Sequence, residues 1–136
     1  MHLGITGSRK GMTEKQFNLM KKWVKEDDSI THFHHGDCIG VDVQTATLIE
    51  HYLPNVWIVS HPSKGNTRAN GPAHEIMRPK DYTVRDQDIV NASEYLWACP
   101  DGKERVRSGT WTTVRMARKK GLSITIIMPD GEVIYE

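Results

Sequence analysis

Apolar residues along the chain switch between two periods, and the switches mark the elements. Residues 3–6 form a short apolar run, and after a turn Thr13-Glu14-Lys15-Gln16 carries the capping-box pattern that opens a helix with Phe17, Met20, Trp23 and Val24 on its core face. A second strand is expected over residues 31–35. Val41, Thr45, Leu48, Ile49 and Tyr52 then recur at helical spacing up to a stop at Pro54. Val56-Trp57-Ile58-Val59 is a continuous apolar run, the signature of a strand buried on both faces.

Residues 61–80 break the pattern. Pro62, Gly65, Asn66, Asn70, Gly71, Pro72 and Pro79 predict a long irregular loop, a kind of segment that is usually functional or mobile. The pattern resumes with a helix over residues 82–92, a strand over 95–98, a polar loop over 101–107, and a helix from Gly109 whose Trp111, Val114 and Ala117 share its core side. Arg118, Lys119 and Lys120 complement the negative pole of that helix, and Gly121 suits a left-handed cap. A fifth strand is expected over 123–128. Pro129-Asp130-Gly131 turns the chain into a short last strand, 132–135.

Strand and helix alternate throughout, without internal repeats. The expected fold is therefore α/β, one Rossmann-like domain over residues 1–136: a doubly wound sheet of about five parallel strands, helices on both faces, and a short C-terminal extra strand. In such sheets ligands bind beyond the carboxyl ends of the strands, where strand order reverses. Gly7-Ser8-Arg9, Gly36-Asp37 and Ser108-Gly109-Thr110 all fall there.

Composition narrows the partners. Lys plus Arg number 18 against 17 Asp plus Glu, so a net charge of +1 supplies no global field for nucleic acid or an acidic membrane. Cys38 and Cys99 form no C-x-x-C motif, which points to reduced thiols and a cytoplasmic protein. The first residues show no basic and apolar leader pattern, and no apolar stretch reaches the length of a membrane span. A soluble protein without a membrane partner is expected.

Gly7-Ser8-Arg9 is neither a dinucleotide fingerprint nor a P-loop. It still offers a backbone open to close approach at Gly7, a hydroxyl at Ser8 and a cationic fork at Arg9. Arg107-Ser108-Gly109-Thr110 is the stronger phosphate candidate, because Gly109 and Thr110 would carry unpaired N–H groups in a first helical turn, with Ser108 as a structural N-cap in the alternative. His34-His35-Gly36-Asp37-Cys38 invites a metal reading. It is discounted because His32 and His34 share one face of a strand while His35 points to the other, so neither a metal nor any other cofactor is expected. Asp37 is expected to face the crevice and bond a ribose hydroxyl or water, and Cys38 to be a buried thiol with a nucleophile as the alternative. Of Arg68, Arg78, Lys80 and Arg85, which could form a solvated face, Arg85 is expected to be directed at the crevice.

These residues resemble the SLOG superfamily of Rossmann-like domains, which joins DNA-processing proteins, the cytokinin-activating LOG phosphoribohydrolases and uncharacterised nucleotide-binding members. Thr6-Gly7-Ser8-Arg9 looks like its first glycine loop, and His35-Gly36-Asp37-Cys38-Ile39-Gly40-Val41-Asp42 is similar to the Gly-Gly-Ala-x-Gly-Ile-Asp stretch of the DNA-processing branch. Arg85 stands before Ser93-Glu94 as the Arg of the LOG Met-His-x-Arg-Lys motif stands before a Ser-Asp pair, and Ser108-Gly109-Thr110 opens the loop matching Pro-Gly-Gly-x-Gly-Thr-x-x-Glu. The LOG catalytic Glu falls on Thr113, whose hydroxyl cannot serve as a base near neutral pH. The resemblance also implies a homodimer or larger homo-oligomer.

The leading expectation is a nucleotide or nucleotide-derivative binder (AMP, ADP-ribose or a cyclic nucleotide), with Gly7, Ser8, Arg9, Gly36, Asp37, Ser108, Gly109 and Thr110 around the ligand and Arg85 closing over it. The alternative is an enzyme acting at ribose C1′, with Arg85 and Asp37 as candidate catalytic residues. A single-stranded nucleic-acid module comes third, and the near-neutral charge weighs against it.

Overall fold

A computed structural model describes residues 1–65 and 68–136; Asn66 and Thr67 of the expected loop lie outside the described residues. The elements in chain order are β1 (His2–Gly7), α1 (Glu14–Glu26), β2 (His32–His35), α2 (Val41–Tyr52), β3 (Trp57–Ser60), β4 (Glu75–Ile76), α3 (Tyr82–Ala92), β5 (Tyr95–Cys99), α4 (Gly109–Lys120), β6 (Ser123–Ile127) and β7 (Val133–Tyr135). They build one seven-stranded sheet in the order β4-β3-β2-β1-β5-β6-β7, with every pairing parallel except β6 with β7. The fold is α/β and Rossmann-like.

Among the described residues the parallel strands number six, because β4 forms inside the expected loop and pairs with Val59 and Ser60 of β3. The loop is anchored as well, since Ala69 donates its amide to Asp37 O at 2.8 Å and Lys80 to Pro62 O at 3.2 Å. None of the helices of the described residues is long and apolar enough to cross a membrane.

The sheet separates two apolar layers. On one face Leu3, Ile5, Phe33 and Ile58 pack with Met20 and Val24 of α1 and Val41 and Ile49 of α2. On the other, Leu96, Ala98, Ile124 and Ile126 meet Val90 of α3 and Trp111, Val114 and Ala117 of α4. The alternation of β2 is real: the His34 ring bonds the rings of His2 and His61 at 2.9 Å each, while His35, on the opposite face, reaches Pro72 O at 3.0 Å. Burial, reinforced by the neighbouring imidazoles, lowers His34 to about 3, and burial lowers His61 to about 4, so both are neutral at physiological pH.

The capping box of α1 has a second task. Thr13 Oγ1 accepts from Gln16 N at 3.2 Å and Gln16 Oε1 accepts from Thr13 N at 2.9 Å, which satisfies two amides of the first turn. The same Gln16 side chain, 1% exposed, donates Nε2 to Pro100 O at 2.9 Å and Ile127 O at 2.8 Å. It thereby ties the carboxyl ends of β5 and β6 to α1.

Candidate functional site

Strand order turns round between β1 and β5, with β2 to β4 on one side and β6 and β7 on the other. Beyond the ends of these two strands lies a crevice of about 450 Å³. Residues 7–10 after β1, Gly36 and Cys38 after β2, Tyr82, Arg85 and Asp86 of α3, and Asp101, Arg105 and residues 107–110 before and within α4 all line it. Of the nine residues expected around a ligand, eight come together there, and Asp37 does not.

The N-terminus of α4 is open. Ser108 is the N-cap, its Oγ accepting from Trp111 N at 3.3 Å and its carbonyl from Thr112 N at 2.8 Å. The amides of Gly109 and Thr110 donate to no group of the described residues, as the first turn of a helix requires unless a ligand or water takes them. A Cβ built on Gly109 meets nothing within 4 Å outside its own turn, so this side of the first turn is open. Thr110, only 9% exposed, adds a hydroxyl without a partner among the described residues.

The loop after β1 is fixed by Ser8. Its amide donates to Cys99 O at 3.1 Å, its carbonyl accepts from Gly11 N and Val41 N, and its Oγ accepts from Lys10 N at 3.0 Å, which leaves the hydroxyl proton for the crevice. Gly7 lines the crevice and has a structural task besides. A Cβ there would overlap Val41, so this glycine admits α2 against the strand. Arg9 is exposed and stands 5.3 Å from the centre of the Tyr82 ring.

Arg85 lines the crevice but is a strut, not a closing arm. It is 5% exposed; Nη1 donates to Gly36 O at 2.5 Å and His61 O at 3.1 Å, Nε to Asp86 Oδ1 at 2.7 Å, and Nη2 contacts Cys38 Sγ at 3.7 Å. One of five N–H groups remains. Asp37 corrects the expectation more plainly. Its backbone sits at φ 55°, a left-handed turn that sends the carboxylate away from the crevice, to Arg68 Nε at 3.2 Å and Gly71 N at 2.9 Å. It pins the loop after β3.

Other carboxylates face the crevice instead. Asp42 Oδ2 accepts from Gly36 N at 2.9 Å and Cys38 N at 3.4 Å, clasping the loop after β2. Asp86 stands between Arg85 and Thr113, and burial raises its carboxyl against the opposing pull of the Arg85 guanidinium. Burial likewise raises the Asp42 carboxyl and the Cys38 thiol, so Cys38 is no activated nucleophile. Thr113, where LOG enzymes carry glutamate, donates its hydroxyl to Gly109 O at 3.0 Å. At the mouth, Asp101 bonds Arg105 Nη1 at 2.9 Å and lies 3.5 Å from Lys10 Nζ. Five cationic side chains (Arg9, Lys10, Arg85, Arg105, Arg107) thus face three acidic ones.

Solved structures share this architecture. DNA processing protein A from Streptococcus pneumoniae superposes with a TM-score of 0.72 at 14% identity, over 92% of this chain and 49% of that one. A molybdenum cofactor binding protein from Rippkaea orientalis gives 0.69 at 16% identity, over 93% and 76%. DNA processing protein A from Helicobacter pylori, described for its single-stranded DNA binding mode, gives 0.60 at 16%, over 93% and 64%. The chain shares the Rossmann-like fold of these proteins. No family model and no curated protein matches it in sequence.

Within this fold, sequence reasoning missed Asp42, Asp86 and Tyr82 as crevice residues. Asp42 carried a signal: an acidic side chain in the first turn of α2 is placed to reach back to amides preceding the helix. Asp86 carried a weaker one, its adjacency to Arg85. Tyr82 carried none.

Proposed function

We propose that the chain binds a nucleotide or nucleotide derivative in the crevice between the ends of β1 and β5, with phosphate at the N-terminus of α4. The carrying observation is the pair of unbonded amides of Gly109 and Thr110 beside the unpartnered Thr110 hydroxyl. Ser8 supplies a further hydroxyl from across the crevice, and Arg9, Lys10, Arg105 and Arg107 supply the positive rim an anion needs. Arg85 and Asp42 hold the walls in place.

Hydrolysis at ribose C1′ finds less support among the residues first expected to perform it. Asp37 is engaged by Arg68, Thr113 donates to a backbone carbonyl, and Arg85 is bonded to the walls. Binding is tested by thermal melting against AMP, ADP-ribose, cyclic nucleotides and a single-stranded oligonucleotide. A ligand at about a hundred times its Kd stabilises by about 2.7 kcal/mol, a rise in Tm of about 8 °C for a domain of this size. Melting unchanged across the nucleotides would refute the assignment, and a shift confined to the oligonucleotide would replace it with a nucleic-acid module.

A further inference from the structure

We propose that Asp86 is the sugar-reading group of the crevice, accepting hydrogen bonds from the ribose hydroxyls and making this a site for ribonucleotides in preference to 2′-deoxyribonucleotides. The inference rests on the nucleotide assignment above and names the class of nucleotide.

Three carboxylates line the crevice, and two are engaged elsewhere. Asp42 clasps the amides of Gly36 and Cys38, and Asp101 is held at the mouth by Arg105 and Lys10. Asp86 remains on the inner wall, its side chain 14% exposed and held by Arg85 Nε at 2.7 Å. A carboxylate has about four acceptor positions, and the Arg85 N–H takes one, while the proton of the neighbouring Thr113 hydroxyl goes to Gly109 O. Acceptor capacity is therefore left facing the crevice. An anionic ligand brings few donors to meet it, and the hydroxyls of a sugar are the ones nearest its phosphate.

Position along α4 favours the sugar over the base. Thr113, a neighbour of the Asp86 carboxyl, follows Gly109 by four residues, a rise of about 6 Å along the helix from the proposed phosphate position. At that reach from its 5′-phosphate a nucleotide presents its ribose. Arg85 fixes the orientation of the carboxylate in advance, so little ordering remains when the ligand arrives. A ligand lacking the hydroxyl leaves a buried acceptor without a partner, which is the asymmetry that lets polar sites reject deoxy analogues.

Calorimetric titration with AMP, 2′-deoxy-AMP, 3′-deoxy-AMP and inorganic phosphate tests this. AMP should bind about 10- to 100-fold more tightly than at least one of the deoxy analogues, as expected for one charge-assisted hydrogen bond. In Asp86→Asn that ratio should fall to within about threefold while phosphate affinity is retained. The wild-type comparison needs no variant, so it holds even where Asp86→Asn fails to fold. AMP binding no better than both deoxy analogues, or an unchanged ratio in a folded Asp86→Asn protein, would overturn the role of Asp86 and leave nucleotide binding intact. Absence of binding by all the nucleotides would overturn both.

Discussion

The guanidinium of Arg85 occupies the space that a side chain at residue 36 would need, since a Cβ on Gly36 would overlap its Nη1. The two residues form one joint between α3 and the end of β2, closed by the Nη1 bond to Gly36 O. Arg85→Ala removes the partner of two buried carbonyls and of the Asp86 carboxylate, and should lower stability by about 3–5 kcal/mol in urea denaturation. Gly36→Ala should destabilise through the same joint by displacing the guanidinium. An Arg85→Ala protein as stable as wild type would show that the side chain serves the ligand and not the fold.

Gly109→Ala separates binding from folding in the opposite sense. A methyl group there meets open space and suits a helix, so stability should be unchanged or higher by up to about 1 kcal/mol. The methyl group nonetheless leans toward the helix N-terminus, where phosphate is proposed to bind. The nucleotide-dependent rise in Tm should shrink or vanish, and a full rise in this variant would place the phosphate elsewhere.

Gln16→Ala should cost about 2–4 kcal/mol, because it strips partners from Pro100 O and Ile127 O and opens the capping box. A denaturation midpoint within error of wild type would refute the clamp.

Acid should weaken the fold through two buried imidazoles. The folded-state values of His34 and His61, about 3 and about 4, lie below the ordinary 6.5, so the unfolded chain takes up protons first as pH falls. The stability from neutral imidazoles is complete above about pH 6.5 and is lost progressively toward pH 4, at roughly 2 kcal/mol per imidazole by pH 5. Urea midpoints at pH 7, 6 and 5 measure this, and a flat series would show that these rings are solvated.

Much of the architecture was legible in local chemistry. The capping box at Thr13, the Ser108 cap and the left-handed Gly121 each act within a few residues, so the start of α1 and both ends of α4 could be placed from the chain alone. β4 could not, because Glu75 and Ile76 are exposed and too few to show a period; pairing with β3 alone makes them a strand. That Asp37 turns away from the crevice was equally closed to sequence. It turns on one backbone angle at Asp37, and on an Arg68 partner 31 residues away. Asp86, marked only by its place next to Arg85, also required knowing how α3 meets α4.

The cationic rim of the crevice sits on a molecule whose net charge is only +1. Beyond a screening length of about 8 Å at physiological salt, an approaching nucleotide meets almost no attraction, so the rate of encounter should be that of unaided diffusion. Selectivity among nucleotides must then reside in how long each one stays, and rapid-mixing measurements should find ligands that arrive alike and leave at different rates.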